Sequence, residues 1–142
     1  MHLDVDLLET SFDLITPRGD DLVDCFYARL FAAAPEVRPL FAATDLRRQK
    51  HMLLAALVRL RRSVRNLDAI VPSLRGLGAR HVAYGARPEH YPIVGEALIA
   101  SMAEIAGSAW REEYSRVWAD AFEVVAATML DGAAELELEA AA

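Results

Sequence analysis

Cysteine is almost missing from this chain. Cys25 is the only one in 142 residues, so no internal disulfide can form and no set of thiolates can hold a metal ion. It lies in an apolar stretch, LVDCFYARLF, and is read as a small buried hydrophobe. A long apolar run is missing too: nothing approaches the roughly 18 residues that a membrane span requires. The first residues, MHLDVDLLET, carry acids where a secretory signal would be basic and then apolar. The expectation is a cytoplasmic protein with no membrane partner. Basic charge is short, with 15 Lys and Arg against 21 Asp and Glu, a net charge of −6. That argues against nucleic acid as a partner, because such binding uses a cationic face to release counterions from phosphates. Period-two alternation between turn residues is nowhere sustained, so no strand is predicted. No repeat or low-complexity linker divides the chain, and its length suits one core; residues 1–142 are expected to form one domain.

Helical rhythm, by contrast, is plentiful. Leu3, Leu7, Leu8, Phe12 and Ile15 recur at helical spacing until Thr16-Pro17-Arg18-Gly19 ends the run. Asp20 or Asp21 can cap a second helix to about Ala34, with Leu22, Val23, Phe26, Tyr27, Leu30 and Phe31 inward. Pro35 and Pro39 confine the next segment to a short turn ending near Phe41. Thr44 or Asp45 can cap a third helix, about Asp45 to Val64, which has the inner stripe Leu46, Gln49, Leu53, Ala56, Leu60. Its cations, with others nearby, form the basic segment of the chain: Arg47, Arg48, Lys50, Arg59, Arg61, Arg62 and Arg65. The ordinary reading of that run is a solvated helix face. Leu67 to Tyr84 forms a fourth helix, a fifth starts at Pro88 or Pro92 and reaches Ala106 with Val94, Leu98 and Met102 inward, and the last spans about Trp110 to Leu136 before a fraying, acidic, alanine-rich end. The fold class is therefore all-α.

Three polar residues sit on faces that should be buried: Tyr27, Gln49 and His81. An amide inside an apolar stripe costs on the order of 1 to 3 kcal/mol unless something polar meets it. His81 closes the stripe Val71, Leu74, Leu77, His81, just before Gly85 and Pro88 break the helix. Alone, such a histidine is more often a core residue than a ligand, since a neutral imidazole needs only one or two hydrogen bonds. Thirty-two residues separate Gln49 from His81, enough for two helices that face each other across a gap. That spacing describes a pocket.

The ordered motifs FYARLF with Tyr27, PEVRPLF with Phe41, Gln49 and Leu53, RHVAYG with His81, and EHYPIVG with Tyr91 resemble the globin family, specifically single-domain bacterial haemoglobins and the globin domain of flavohaemoglobins. The resemblance covers about Leu7 to Met129. It implies a globin fold around haem b, with His81 as the proximal ligand of the iron. Tyr27 and Gln49 match the distal pair that hydrogen-bonds bound dioxygen. Leu53 matches the apolar residue crowding that ligand, Phe41 the aromatic against the porphyrin face, and Tyr91 the tyrosine supporting the proximal side. Val94 would line the same pocket, and Arg80 is a candidate partner for the haem carboxylates. His90 and His51 are expected at the surface. The resemblance also implies a proximal glutamate in the last helix, where this chain, aligned on Trp118, has Ala133; Glu137 is one turn further on. Without that carboxylate the histidine donates less electron density, which weakens the case for oxygen activation. The function expected is reversible dioxygen binding, for scavenging or delivery, by a monomer or homodimer. The alternatives are nitric oxide dioxygenation with an external reductase, since no G-x-G-x-x-G fingerprint is present, and gas sensing through a partner. A helical interaction module without a cofactor would leave the three polar residues unexplained.

Overall fold

The computed structural model describes residues 3–141, and over them the chain is helical with no strand. Six α-helices follow one another: α1 (Val5–Ile15), α2 (Gly19–Ala33), α3 (Leu46–Ser63), α4 (Val71–Ala83), α5 (His90–Ala106) and α6 (Glu112–Ala141). Tight 3-10 turns cover Thr16–Arg18, Pro35–Phe41, Leu67–Ile70 and Gly107–Ala109. No described helix is long and apolar enough to cross a membrane.

Capping explains two of the helix starts. The Asp4 carboxylate accepts from the Leu7 amide at 3.1 Å, and the Asp45 carboxylate from Arg47 at 3.1 Å and Arg48 at 3.4 Å. α1 buries Leu8, Ser11, Phe12 and Ile15 against α6. There the fully buried Trp118 donates its indole N–H to the Ser11 hydroxyl at 2.8 Å, and that hydroxyl donates to the Leu7 carbonyl at 2.7 Å. Each large apolar side chain taken out of water contributes about 1.5 to 3 kcal/mol, and this polar pair fixes where Trp118 sits among them.

α4 and α6 cross so closely that main chain meets main chain. A methyl group on Gly78 would overlap the carbonyl of Met129, and one on Gly132 would overlap the carbonyl of Arg75. Only glycine allows that approach at those two positions. Just outside the crossing, Arg75 pairs with Glu135.

Across the other side of the molecule α1 and α3 are held by ions. Arg61 grips both oxygens of Asp13 at 3.0 Å and reaches Glu9 at 3.1 Å; Arg65 meets Asp6 at 2.6 Å and Glu9 at 2.6 and 3.0 Å. Lys50 reaches Asp24 of α2 at 3.0 Å.

Several expectations change. α2 begins at Gly19, so Asp20 and Asp21 occupy its first turn and favour the helix dipole without capping it. In α3 the inward residue is Leu57, while Ala56 is exposed: the inner stripe Leu53, Leu57, Leu60, Val64 drifts by one position because 3.6 residues make a turn. Val71, Leu74 and Leu77 are half-buried rather than buried, and it is Gly78 that faces the core. α5 starts at His90, with Pro88 in the turn before it. α6 continues to Ala141 in place of the expected fraying. Cys25 is not an inert hydrophobe: it is half-exposed and its thiol donates to Glu104 at 2.9 Å, beside the Arg29–Glu104 pair. Lys50, Arg61 and Arg65 are ion-pair partners and not merely a solvated face.

Replacing Gly78 by alanine is expected to destabilise the protein by at least about 1 to 3 kcal/mol, read as a lowered midpoint of denaturant unfolding, whereas alanine at Gly95, a helical position where the added methyl would meet only ordinary van der Waals contact, should cost far less. The ion-pair cluster sets an acid dependence. Arg65 holds the Glu9 carboxyl, and Arg61 the Asp13 carboxyl, below their ordinary values of 4.5 and 3.8. A depressed folded-state pKa stabilises at pH above the ordinary carboxylate range, and the stabilisation is lost as pH falls through the folded values. The double variant Arg61→Ala/Arg65→Ala should therefore show a flatter fall in melting temperature than the parent between about pH 5 and pH 3, and high salt should shrink the difference.

Candidate functional site

α2, the Pro35–Phe41 turn and α3 bring three of the expected residues together. Tyr27 is 4% exposed and packs its ring against Phe26 at 4.9 Å, Phe41 at 5.8 Å and Phe31 at 5.9 Å between centroids. Phe31 and Phe41 lie 5.5 Å apart, edge to face. Proline explains the approach: α2 stops at Ala33, the Ala34 amide bonds back to Leu30, and Pro35 opens the 3-10 turn that returns Phe41 to Tyr27. Burial pushes the Tyr27 phenol up, and Gln49, half-buried on α3, lies close enough to oppose the rise. Phe41, Leu53 and Val94 are half-buried and pack against the core.

On α4, the His81 Nδ1 lies 2.8 Å from the Leu77 carbonyl one turn back. A carbonyl only accepts, so Nδ1 carries the proton and the neutral ring presents its Nε2 lone pair. Burial, opposed by Leu77 and assisted by the neighbouring Arg80 charge, lowers the imidazole pKa and so favours the neutral, metal-binding form. Tyr84, 59% exposed, sets its ring edge-on to His81 at 5.6 Å. Gly85, at φ +90°, then turns the chain out of the helix, a conformation that suits glycine. Arg80 is exposed and has no carboxylate partner among the described residues. Tyr91 is half-buried in the first turn of α5, its phenol pushed up by burial. It makes no hydrogen bond to His81, whose Nδ1 is engaged by Leu77. Ala133 is buried and apolar, and Glu135 faces Arg75 at the surface; the side chain of Glu137 lies outside the described residues. His51 is exposed, and the half-buried His90 accepts from the Arg87 amide at 3.1 Å.

No three of His, Cys, Asp and Glu cluster to hold a metal among the described residues. One imidazole with a free Nε2, apolar walls and a buried phenol suit a metal that arrives with its own in-plane donors, as in haem. The residues present fit such a group. Two contacts of this site were missed from sequence. The Leu77 carbonyl as the partner of His81 was readable in the i−4 spacing; the Tyr84 ring, three residues on, was hidden by its exposure.

The globin family profile matches residues 24–129, which include every site residue from Tyr27 to Val94. The chain belongs to the globin family. This globin is 31% identical over 139 residues to a flavohemoprotein of Bacillus thuringiensis subsp. konkukian, an alignment covering 96% of this chain and 34% of that one. It spans about a third of the length of such relatives. Among solved structures, an engineered carbene transferase of Rhodothermus marinus superposes with a TM-score of 0.87 at 26% identity, covering 97% of this chain and 96% of that one. A Pseudomonas aeruginosa protein described as structurally highly homologous to a human hemoglobin does so at 0.78 and 30%, covering 90% and 96%. A bacterial globin from Campylobacter jejuni shares the fold, at a TM-score of 0.81 over 94% and 96% of the two chains.

Because Gln49 holds the Tyr27 phenol down against burial, Gln49→Ala is expected to raise the ionisation midpoint of Tyr27, followed by NMR of its labelled ring carbon. A fall, or no change, would mean that the two groups do not interact.

Proposed function

We propose that this globin holds haem b on the Nε2 of His81 and serves as a dioxygen-binding protein, for scavenging or delivery. The reading rests on the one free imidazole nitrogen on α4, together with the aromatic wall and the two polar side chains that α2 and α3 contribute. The bound group supplies a ferrous iron that takes dioxygen reversibly. The chain's own residues do the rest. His81 holds the iron, its ring oriented by Leu77. Tyr27 and Gln49 donate hydrogen bonds to a ligand that carries partial negative charge. Phe41, Leu53 and Val94 keep water out, and the Arg80 guanidinium attracts the haem carboxylates. Tyr91 would support the proximal side by packing, since the Nδ1 proton is engaged elsewhere. With a neutral carbonyl as its hydrogen-bond partner among the described residues, His81 is less basic than an imidazole bonded to a carboxylate, which favours ligand binding over oxygen activation.

A second reading, nitric oxide dioxygenation, is favoured by the likeness to flavohemoproteins and to a structure whose description names a nitric oxide dioxygenase. Dioxygen and nitric oxide would leave as nitrate, with the iron one electron short, so a reductase would have to return that electron.

The test is the visible spectrum of the haem-loaded protein, reduced without air and then oxygenated. A five-coordinate ferrous spectrum should give way to a stable oxygenated one, and His81→Ala should abolish it. A charge-assisted hydrogen bond contributes about 1.5 to 3 kcal/mol, so Tyr27→Phe should release dioxygen about tenfold to a hundredfold faster. An unchanged release rate would remove Tyr27 from the distal role. Repeated conversion of nitric oxide to nitrate, seen only with a reductase present, would favour the second reading.

A further inference from the structure

α3 and the turn that follows it carry two kinds of cation. Lys50, Arg61 and Arg65 are matched by carboxylates of α1 and α2. Arg47, Arg48, Arg59 and Arg62 are exposed and have no carboxylate within ion-pair distance among the described residues; Arg59 reaches only the Ser73 hydroxyl, at 3.1 Å. The unmatched side borders a shallow groove of about 480 Å³, with Leu54, Ala55 and Val58 as its floor and His51, Arg59 and Arg62 at its rim. From His51 to Arg62 the groove follows the helix for about 16 Å, room for about three turns of another helix. In a chain with a net charge of −6 this is an unusual surface.

The same chain presents the complementary surface. From Asp131 onward it holds Asp131, Glu135, Glu137 and Glu139 and no cation. Backbone there remains helical to Ala141, past the Arg75–Glu135 pair that ties α6 to α4. Leu138, with a glutamate on either side in sequence, is 72% exposed, and Leu136 is 38% exposed. An apolar side chain flanked by carboxylates is the counterpart of an apolar floor flanked by guanidinium groups.

We propose that the α3 groove receives the acidic end of α6 from a second copy of this chain, Leu138 resting on Leu54 and Val58 while the glutamates meet Arg59 and Arg62. The occupant is an amphipathic helix laid in a groove. Reciprocal docking closes a two-fold dimer in which the same two patches meet twice. Its dependence on exposed charge makes the association sensitive to salt. It asks nothing of His81 and stands apart from the reading of the haem site.

Sedimentation of the full-length, haem-loaded protein, from low micromolar to near-millimolar concentration, tests this. A reversible dimer is expected, weakened as salt is raised. Facing like charges across the contact, with Arg59→Glu/Arg62→Glu in the groove or Glu137→Arg/Glu139→Arg in the tail, should weaken it at least about tenfold. Leu138→Lys should weaken it as well. Far-UV circular dichroism and the haem spectrum of each variant should match the parent; Arg59, Arg62 and Leu138 are at the surface. Mixing the groove-reversed and tail-reversed proteins should restore a dimer, because each then offers the charge that the other needs. A parent that is monomeric at every concentration overturns the proposal, as does a dimer indifferent to the reversals or a mixture that does not reassociate.

Discussion

The contact on which the rest of the molecule depends is the crossing of α4 and α6, where Gly78 lies on the carbonyl of Met129 and Gly132 on that of Arg75. Two helices that approach without intervening side chains cannot slide or rotate by much, since any larger atom at either glycine would collide with main chain. α4 is thereby held along its length, and His81 lies one turn beyond Gly78. Trp118 anchors the other helix of the pair: fully buried and bonded to Ser11, it ties α6 to α1. The imidazole therefore stands on a helix fixed by packing and not on a loop.

A rigid platform gives the hydrogen bond from His81 to Leu77 its meaning. With Nδ1 committed to a carbonyl and burial disfavouring the cation, the ring has one tautomer and one free nitrogen. On α2, Tyr27 accepts the cost of burying a hydroxyl, wrapped by Phe26, Phe31 and Phe41, with Gln49 as its polar neighbour. These residues carry polar groups on largely apolar faces, which the proposed haem and its ligand would use.

Charge is used differently on the two sides of α3. Toward α1 and α2 it is matched pair by pair and draws the N-terminal helix onto the body of the protein. Away from them it is unmatched beside an apolar floor. Arg61, and Arg65 just past the helix end, reach the carboxylates of α1, while Arg59 reaches only the Ser73 hydroxyl of α4 and Arg62 no carboxylate among the described residues.

Periodicity and punctuation in the sequence determined the number and order of the helices, a cap at Thr44 or Asp45, the stop before Pro35, and the ordered set Tyr27, Phe41, Gln49, Leu53, His81 and Tyr91 that marks a globin. These are local signals, carried by spacing and by the few residues that break or cap helices. Tertiary structure decided which of two adjacent residues, Ala56 or Leu57, turned inward, because a small error in helical phase accumulates along a helix until a neighbour selects the face. It made Cys25 a half-exposed donor to Glu104, seventy-nine residues away, and sorted the arginines of α3 into paired and unpaired sides. It also gave Gly78 and Gly132 their role, which neither glycine discloses alone: a close crossing is a property of two helices, and only their docking shows where the main chains meet.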